Sequence, residues 1–526
     1  MSVTSIYFLA FCFVLLLIYY GVPGKARWYV LLTGSLLFYL ISAAPVTIIY
    51  LLVSVGTVYW ATIRFAVIDG RLADTENRDS GQCSRAEKEK RIWLTAVLTV
   101  NFGILAVLKY LNLFLQPVFF VYHLSGGLTE TPYFRFTASL GISFYTLQIT
   151  GYLLDCYWGK CQAERNIGKV LLFGCYFPQM VSGPISRYGE LSQTLYAGAR
   201  FQGIRVLHGI QRVLWGFFQK LVLSERLAVI VNTVYGDPDT YSGFYVWAAA
   251  FAFILQLYTD FAGCMDIVLG TSECFGVVLP ENFRQPFSAR TIQEFWQRWH
   301  ITLGTWLKDY IMYPVLKTET WYRMGSKIKK RWGKSLGKRI PTWAGLFVLW
   351  TAMGVWHGND WKYVIGEGFW FWFLIVGSQM MEPVWKKGLA FFHINKDAWW
   401  WIIIQRIRTF LCFATGMIFF RADSLKQACY LLRNGVLRWN AGILGSGLFS
   451  LGLGKKELAV TAAGLLLLGA ISHVSRKRED GDVRDWLDER PLVVRWAVWY
   501  GLFFSVLVLG CYGASYDTSN FIYAGF

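Results

Sequence analysis

Of the six histidines in this chain, two stand where an imidazole could do chemistry. His300 lies in the middle of ENFRQPFSARTIQEFWQRWHITLGTWLKDYIMYP (Glu281 to Pro314), and His357 lies in MGVWHG (Met353 to Gly358). Histidine, with an unperturbed pKa of about 6.5, is a base near neutrality, and burial favours its neutral, proton-accepting form. A neutral imidazole in a dry pocket can take the proton of a hydroxyl as that hydroxyl attacks an activated acyl group. With a thioester the leaving thiolate needs no strong acid, so one base and a group that polarises the carbonyl suffice. An ionisable residue deep in an apolar run is a functional candidate by default, which favours His357. For His300, catalysis and structural support stand equal: by position it could orient His357, bind the donor or hold its own helix. His123, His208, His393 and His473 read as helix–helix hydrogen-bonding, loop or interface residues.

The elements that must hold these two residues are membrane helices. Hydrophobic residues make up 55% of the 526-residue chain, charged residues 16% and aromatics 18%, with 25 Trp, which describes a polytopic helical membrane protein rather than a string of soluble domains. The short alternating segments of a β-barrel are absent. The net charge of +18 is carried mainly by loops, where retention in the cytoplasm explains it without a nucleic-acid partner. The ten cysteines form no Cys-x-x-Cys pair and indicate neither a disulfide framework nor a metal site.

Around His300, the residues Phe295, Trp299, Leu303, Trp306 and Tyr310 recur at three- and four-residue steps, so the spacing predicts one helix with an aromatic side. Arg298 and Asp309 fall on other faces. Such a helix is too polar to span; it lies in the membrane boundary or lines a pocket between spans. The N-terminal apolar run has no basic region ahead of it and reads as a retained first helix with its N-terminus outside. Arg64 to Arg91 is read as a cytoplasmic loop, and Leu111 to Phe136 as an outer connection. Val170 to Leu191, broken by Gly174, Pro178, Gly183 and Pro184, reads as a re-entrant helix lining a cavity or as a Pro-kinked span. Asp260 and Asp266 lie in an apolar run, where a structural hydrogen bond or an arginine partner is preferred over direct catalysis. Lys317 to Arg339 holds nine Lys or Arg against a single Glu and is the strongest cytoplasmic marker. From Ile340 to His357 a helix would climb ~25 Å, well into the bilayer.

The expected architecture is an all-α polytopic membrane protein of about eleven spans, with re-entrant and in-plane helices. It is one integral unit with N-terminal helices over 1–110, a core with both histidines over 111–382 and C-terminal helices over 383–526. Both termini are expected outside.

No Gly-x-Ser-x-Gly elbow, Walker A loop or Rossmann glycine motif is present, and His-x-x-x-x-Asp fails at every histidine. The segments SLGISFYTLQITGYLLDCYWG (Ser139 to Gly159), FPQMVSGPISRYGEL (Phe177 to Leu191), QLYTDFAGCMDIVLG (Gln256 to Gly270), the His300 stretch and MGVWHG together resemble the membrane-bound O-acyltransferase (MBOAT) family. The match is to its bacterial branch of alginate O-acetylation and teichoic-acid D-alanylation proteins. The resemblance implies a ring of helices around a central tunnel, His357 as catalytic base and His300 as the second family position. It implies an acyl group moved from a cytoplasmic thioester, acetyl-CoA or an acyl carrier protein, towards an extracytoplasmic polysaccharide. An exported SGNH-type acyltransferase would complete delivery. Trp299, Trp306, Trp356, Arg298, Asp309, Asp260 and Pro184 would then line the tunnel, although aromatic packing explains the tryptophans equally well. Lys327, Lys329, Lys330 and Arg331, read as a basic loop at the donor entry, would meet the donor's phosphates, or simply mark topology. The sequence ends FIYAGF where many relatives end in a Phe-Ile-Tyr-Phe-type tail. The implied setting is the bacterial cell membrane. D-alanyl transfer to teichoic acid is the nearest rival. Transporters that use Asp260, Asp266 and the histidines for ions, and a degenerate scaffold, are rivals of other classes.

Overall fold

Apolar runs that enter a bilayer must satisfy their own backbone, and here they do so as helices. The computed structural model describes residues 1–73, 80–124, 134, 136–137, 139–477 and 483–512; the FIYAGF end lies outside them. Among the described residues the only extended pairing is an isolated bridge between Phe283 and Trp299. Seven helices there are long and apolar enough to cross a membrane. The chain forms two compact units.

The first unit comprises residues 1–213 and 264–280. It contains α1 (Ile6–Gly21), α2 (Arg27–Ser42), α3 (Ile48–Ala73), α4 (Ser80–Leu105), α5 (Leu111–Leu124), α6 (Ile142–Tyr157), α7 (Ile167–Cys175), α8 (Phe177–Met180), α9 (Tyr188–Leu195) and most of α10 (Gly203–Phe217). Two expectations change here. The Arg64–Arg91 loop is largely the ends of α3 and α4. The outer connection from Leu111 begins as helix instead, because a π turn at Ala106–Tyr110 carries α4 into the apolar α5. The broken segment at Val170–Leu191 is present: α7 stops at Cys175, α8 starts at Phe177-Pro178, and irregular chain follows. Its polar backbone is answered by protein. The Gln179 amide donates to the Pro184 carbonyl, to Gln148 Oε1 (2.8 Å) and to Ser186 Oγ (3.0 Å). Gly183 is required there, since a Cβ would stand 2.4 Å from the Gln179 Cα. Asp266 has the arginine partner expected of it, Arg212, at 2.9 Å.

The second unit comprises Leu214–Gly263 and the chain from Glu281. It holds α11 (Glu225–Gly236), the first two-thirds of α12 (Phe244–Cys274), α13 (Ile292–Trp296), α14 (Ile301–Leu307), α15 (Tyr313–Leu316), α16 (Glu319–Trp332), α17 (Lys334–His357), α18 (Trp361–Tyr363), α19 (Trp370–Phe391), α20 (Trp399–Arg421), α21 (Leu425–Leu437), α22 (Lys455–Lys477), α23 (Val483–Asp488) and α24 (Leu492–Leu509). The basic stretch Lys317–Arg339 is a helical hairpin rather than a loop: α16 turns at Gly333, whose φ of 90° suits glycine, into α17. Its Lys and Arg are good helix formers, and the run of like charge concealed that. The spanning stretches of α22 and α24 are only 11% and 6% buried by protein.

Candidate active site

The predicted continuous helix through His300 is broken at His300 itself. The α13 helix ends at Trp296, and His300 takes φ 47° and ψ 49°, a left-handed conformation, before α14 begins. A non-glycine residue there costs energy and persists only where neighbours impose it. The imposing residue is Asn282, eighteen positions earlier. Its backbone carbonyl accepts from the Ile301 amide (3.0 Å), and its side-chain oxygen accepts from the Thr302 amide and hydroxyl (3.0 Å each). The same oxygen lies 3.4 Å from His300 Nδ1. Asn282 thus caps α14 from outside the helix. The adjoining chain is zipped beside it by the Arg284 amide donating to the Arg298 carbonyl, 2.9 Å.

The predicted aromatic side survives the break, since Phe295, Trp299, Leu303, Trp306 and Tyr310 are all buried. Trp299 is 1% exposed and packs on Phe283, Phe295 and Phe413 with centroids 5.0–5.6 Å apart, which makes it an anchor of the core.

His357 closes α17. Its Nδ1 donates to the Met353 carbonyl (3.0 Å) and lies 2.9 Å from Glu367 Oε2. Both atoms are acceptors, so the proton belongs on Nδ1, and Nε2 carries the lone pair. Glu367 is 1% exposed and sits in a π-helical turn, Val364–Phe369, that joins α18 to α19. The two glycines of MGVWHG let that turn approach. A Cβ on Gly354 would stand 2.8 Å from the Tyr363 carbonyl oxygen, and one on Gly358 would stand 2.3 Å from the Tyr363 ring. Sequence reasoning missed Glu367. Its signal was a lone carboxylate between Gly366 and Gly368 in an apolar run soon after His357.

The two imidazoles meet. Their centroids are 6.3 Å apart, and the Trp356 ring stands 5.6 Å from His300 and 4.9 Å from His357. Phe261 packs edge-on to His300 at 4.8 Å, and Phe420 lies 5.7 Å from His357. His300 is 1% exposed and His357 0%. A buried imidazole, oriented at Nδ1 by a carboxylate, with a second imidazole beside it, is equipped to deprotonate a hydroxyl through Nε2.

The remaining candidates divide. Trp356 belongs to the site. Arg298 is part-exposed and pairs with Glu294 at 2.9 Å, while donating to the Arg284 carbonyl, so it holds the local chain. Asp309 is half-buried in the π turn Lys308–Met312 beyond α14. Asp260 precedes Phe261, but its carboxylate meets the Lys220 ammonium at 2.6 Å, and Lys220 also meets Glu225 at 2.8 Å. All three are buried, which fits the structural role preferred for Asp260. Pro184 belongs to the other unit, in the Gln179 network. Lys327, Lys329, Lys330 and Arg331 lie exposed near the end of α16, the negative end of a helix dipole.

Comparison with known proteins supplies the family. Residues 165–326 match the MBOAT, membrane-bound O-acyltransferase family. The chain carries a membrane-bound O-acyltransferase domain. The matched stretch includes His300; His357 follows it. Over 413 residues the chain is 27% identical to a probable alginate O-acetylase of Azotobacter vinelandii, covering 78% of this chain and 73% of that protein. It is 26% identical to a peptidoglycan O-acetyltransferase of Helicobacter pylori, covering 66% of this chain and 65% of the relative. It is 27% identical to a teichoic acid D-alanyltransferase of Bacillus subtilis, over 52% of this chain and 67% of the relative. Across such relatives the chain spans 52% to 73% of their length. The protein is thus a multi-pass membrane acyltransferase, as its sequence led us to expect.

Proposed function

We propose that this O-acyltransferase moves an acetyl group from a cytoplasmic thioester, acetyl-CoA, towards an extracytoplasmic polysaccharide in the bacterial cell membrane. The observation that carries the reading is the buried pair of imidazoles, with His357 Nδ1 turned to Glu367. In the reaction, Nε2 of His357 takes the proton of the acceptor hydroxyl as its oxygen bonds to the acyl carbon. The carbon–sulfur bond then breaks, and the imidazolium returns its proton to the departing thiolate. Glu367 steadies the transient imidazolium. His300, fixed by Asn282, faces the same space and assists by positioning or by polarising the carbonyl. An exported SGNH-type protein acts on the acceptor side, and the chain termini lie on that side as well.

The test is acetyl transfer by purified protein with His357 changed to Ala. Transfer should vanish while the protein stays monodisperse; full activity would remove the mechanism. A second reading, D-alanyl delivered by a carrier protein, draws support from the teichoic acid relative. CoA and a carrier share the same reactive pantetheine end. Supplying labelled acetyl-CoA and labelled D-alanyl carrier in parallel separates the two.

A further inference from the structure

We propose that the cavity between α12, α20 and α22 seats an anionic phospholipid of the cytoplasmic leaflet, its headgroup against Arg406 and the start of one acyl chain along α22. The cavity lies wholly within the second unit and has a volume of about 320 Å³, room for a headgroup and the first part of a chain. The site is independent of which acyl group the enzyme moves.

The walls sort by polarity. Leu255 comes from α12, while α22 contributes Leu465, Leu468, Gly469, Ser472 and His473. Leu465, Leu468, Gly469 and Ser472 follow at three- and four-residue steps. One helical face thus turns from apolar to polar over ~11 Å as α22 nears its C-terminal end. Arg476, Lys477 and Arg478 come next in the sequence, a cluster that retains this end in the cytoplasm. A phospholipid has the same order along the membrane normal, polar at the surface and apolar towards the middle. The spanning stretch of α22 is only 11% buried by protein, which leaves a way in from the bilayer. Gly469 leaves space on that wall, since a Cβ there would meet no atom within 4 Å.

Charge sets the kind of headgroup. Arg406 lies in the apolar α20, where a charge is costly and points to function. Its Nε donates to the carbonyl of Ser288, another wall residue, at 3.1 Å. That bond orients the guanidinium fork, the geometry that takes a phosphate through paired bonds. Ser472 and His473 add O–H and N–H donors from α22. No carboxylate is among the described lining residues, so the polar part of the cavity complements an anion. The leaflet on the cytoplasmic side is the one that carries anionic lipid.

A strained turn in the wall is the second observation. Gln285 holds φ 50° and ψ 60°, a left-handed conformation for a non-glycine residue, and it lines the cavity together with Phe287. Tyr258, from the α12 wall, packs on Phe287 at 5.0 Å and on Phe283 at 5.6 Å. A seated lipid therefore bears on the turn that leads from Asn282, the residue that fixes His300, to α13.

The experiment uses the full-length protein stripped of lipid in a maltoside detergent. It is titrated with phosphatidylglycerol, phosphatidylcholine, glycerol phosphate or dodecanoate, and bound molecules are counted by native mass spectrometry. Phosphatidylglycerol should bind about tenfold or more tightly than phosphatidylcholine and than either fragment. Arg406→Gln should weaken it about tenfold and level the two lipids, whereas Arg406→Lys, which keeps the charge, should retain most of the preference. Gly469→Trp fills the open space and should abolish lipid retention while the unfolding temperature of the stripped protein stays the same. That variant carries the test if Arg406→Gln, which also releases the Ser288 carbonyl, fails to fold. Equal binding of the two lipids would overturn the assignment. So would glycerol phosphate binding as tightly as the whole lipid, which would make this a site for a soluble phosphate, or dodecanoate doing so, which would make it a fatty-acid site. Phosphatidylglycerol binding untouched by Gly469→Trp would overturn it as well.

Discussion

Changing Glu367 to Gln removes one negative charge at near-constant volume, and its effect follows from the geometry of one N–H. In the native site His357 Nδ1 has two oxygen neighbours, the Met353 carbonyl at 3.0 Å and Glu367 Oε2 at 2.9 Å. The carbonyl remains in the variant, so the tautomer that leaves the lone pair on Nε2 remains as well. What is lost is the charge that stabilises the imidazolium formed as the acceptor is deprotonated. Interactions with a charged partner contribute ~1.5–3 kcal/mol, which corresponds to a kcat lower by roughly 10- to 150-fold. The loss should fall well short of the ~10⁴-fold seen when a comparable change also misorients the base. KM for the thioester should stay within about threefold, because the carboxylate acts on a charge that ground-state binding does not create. Steady-state acetyl transfer by the purified variant, alongside its thermal unfolding curve, makes the measurement. A kcat within threefold of the native value would refute the role given to Glu367. A lowered melting temperature with a proportional loss of active protein would make Glu367 merely structural.

Other outcomes follow from the same contacts. Asn282→Ala removes the outside cap of α14 and should cost ~1–2 kcal/mol of stability, read as earlier denaturation, together with activity lost through a released His300. Gly354→Ala or Gly358→Ala drives a methyl into Tyr363 and should cost ~1–3 kcal/mol while pushing the Glu367 turn away, so kcat falls even in protein that stays folded. Lys220→Met removes the buried ammonium that meets both Asp260 and Glu225; at ~3–5 kcal/mol it should abolish monodisperse expression, and adding Asp260→Asn should restore part of it.

What the sequence made legible, and what it hid, divides by the distance over which the cause acts. The spanning helices and the buried aromatic side of the His300 stretch could be read because hydropathy and three- to four-residue spacing are local. His300 and His357 could be singled out because an imidazole in an apolar aromatic run is rare and costly. The break at His300 could not, because its cause is a cap from Asn282 across an intervening turn, while residues 292–316 alone read as helix. Glu367 stayed hidden for a similar reason. It reaches His357 only through a π turn that Gly354 and Gly358, at the end of α17, allow to come close. The partner of Asp260 is Lys220, forty residues earlier in an equally apolar run, so the burial was legible and the pairing was not. The basic stretch before Ile340 misled in another way, since a count of Lys and Arg reports the side of the membrane and says nothing of whether the chain is coiled.

The most direct measurement is an experimental structure of the protein with a non-hydrolysable acetyl-CoA analogue. The account predicts the acyl carbonyl carbon within ~4 Å of His357 Nε2, on the side that also faces His300. An analogue seated with its acyl end away from both rings, while still competing with acetyl-CoA in the transfer assay, would contradict it.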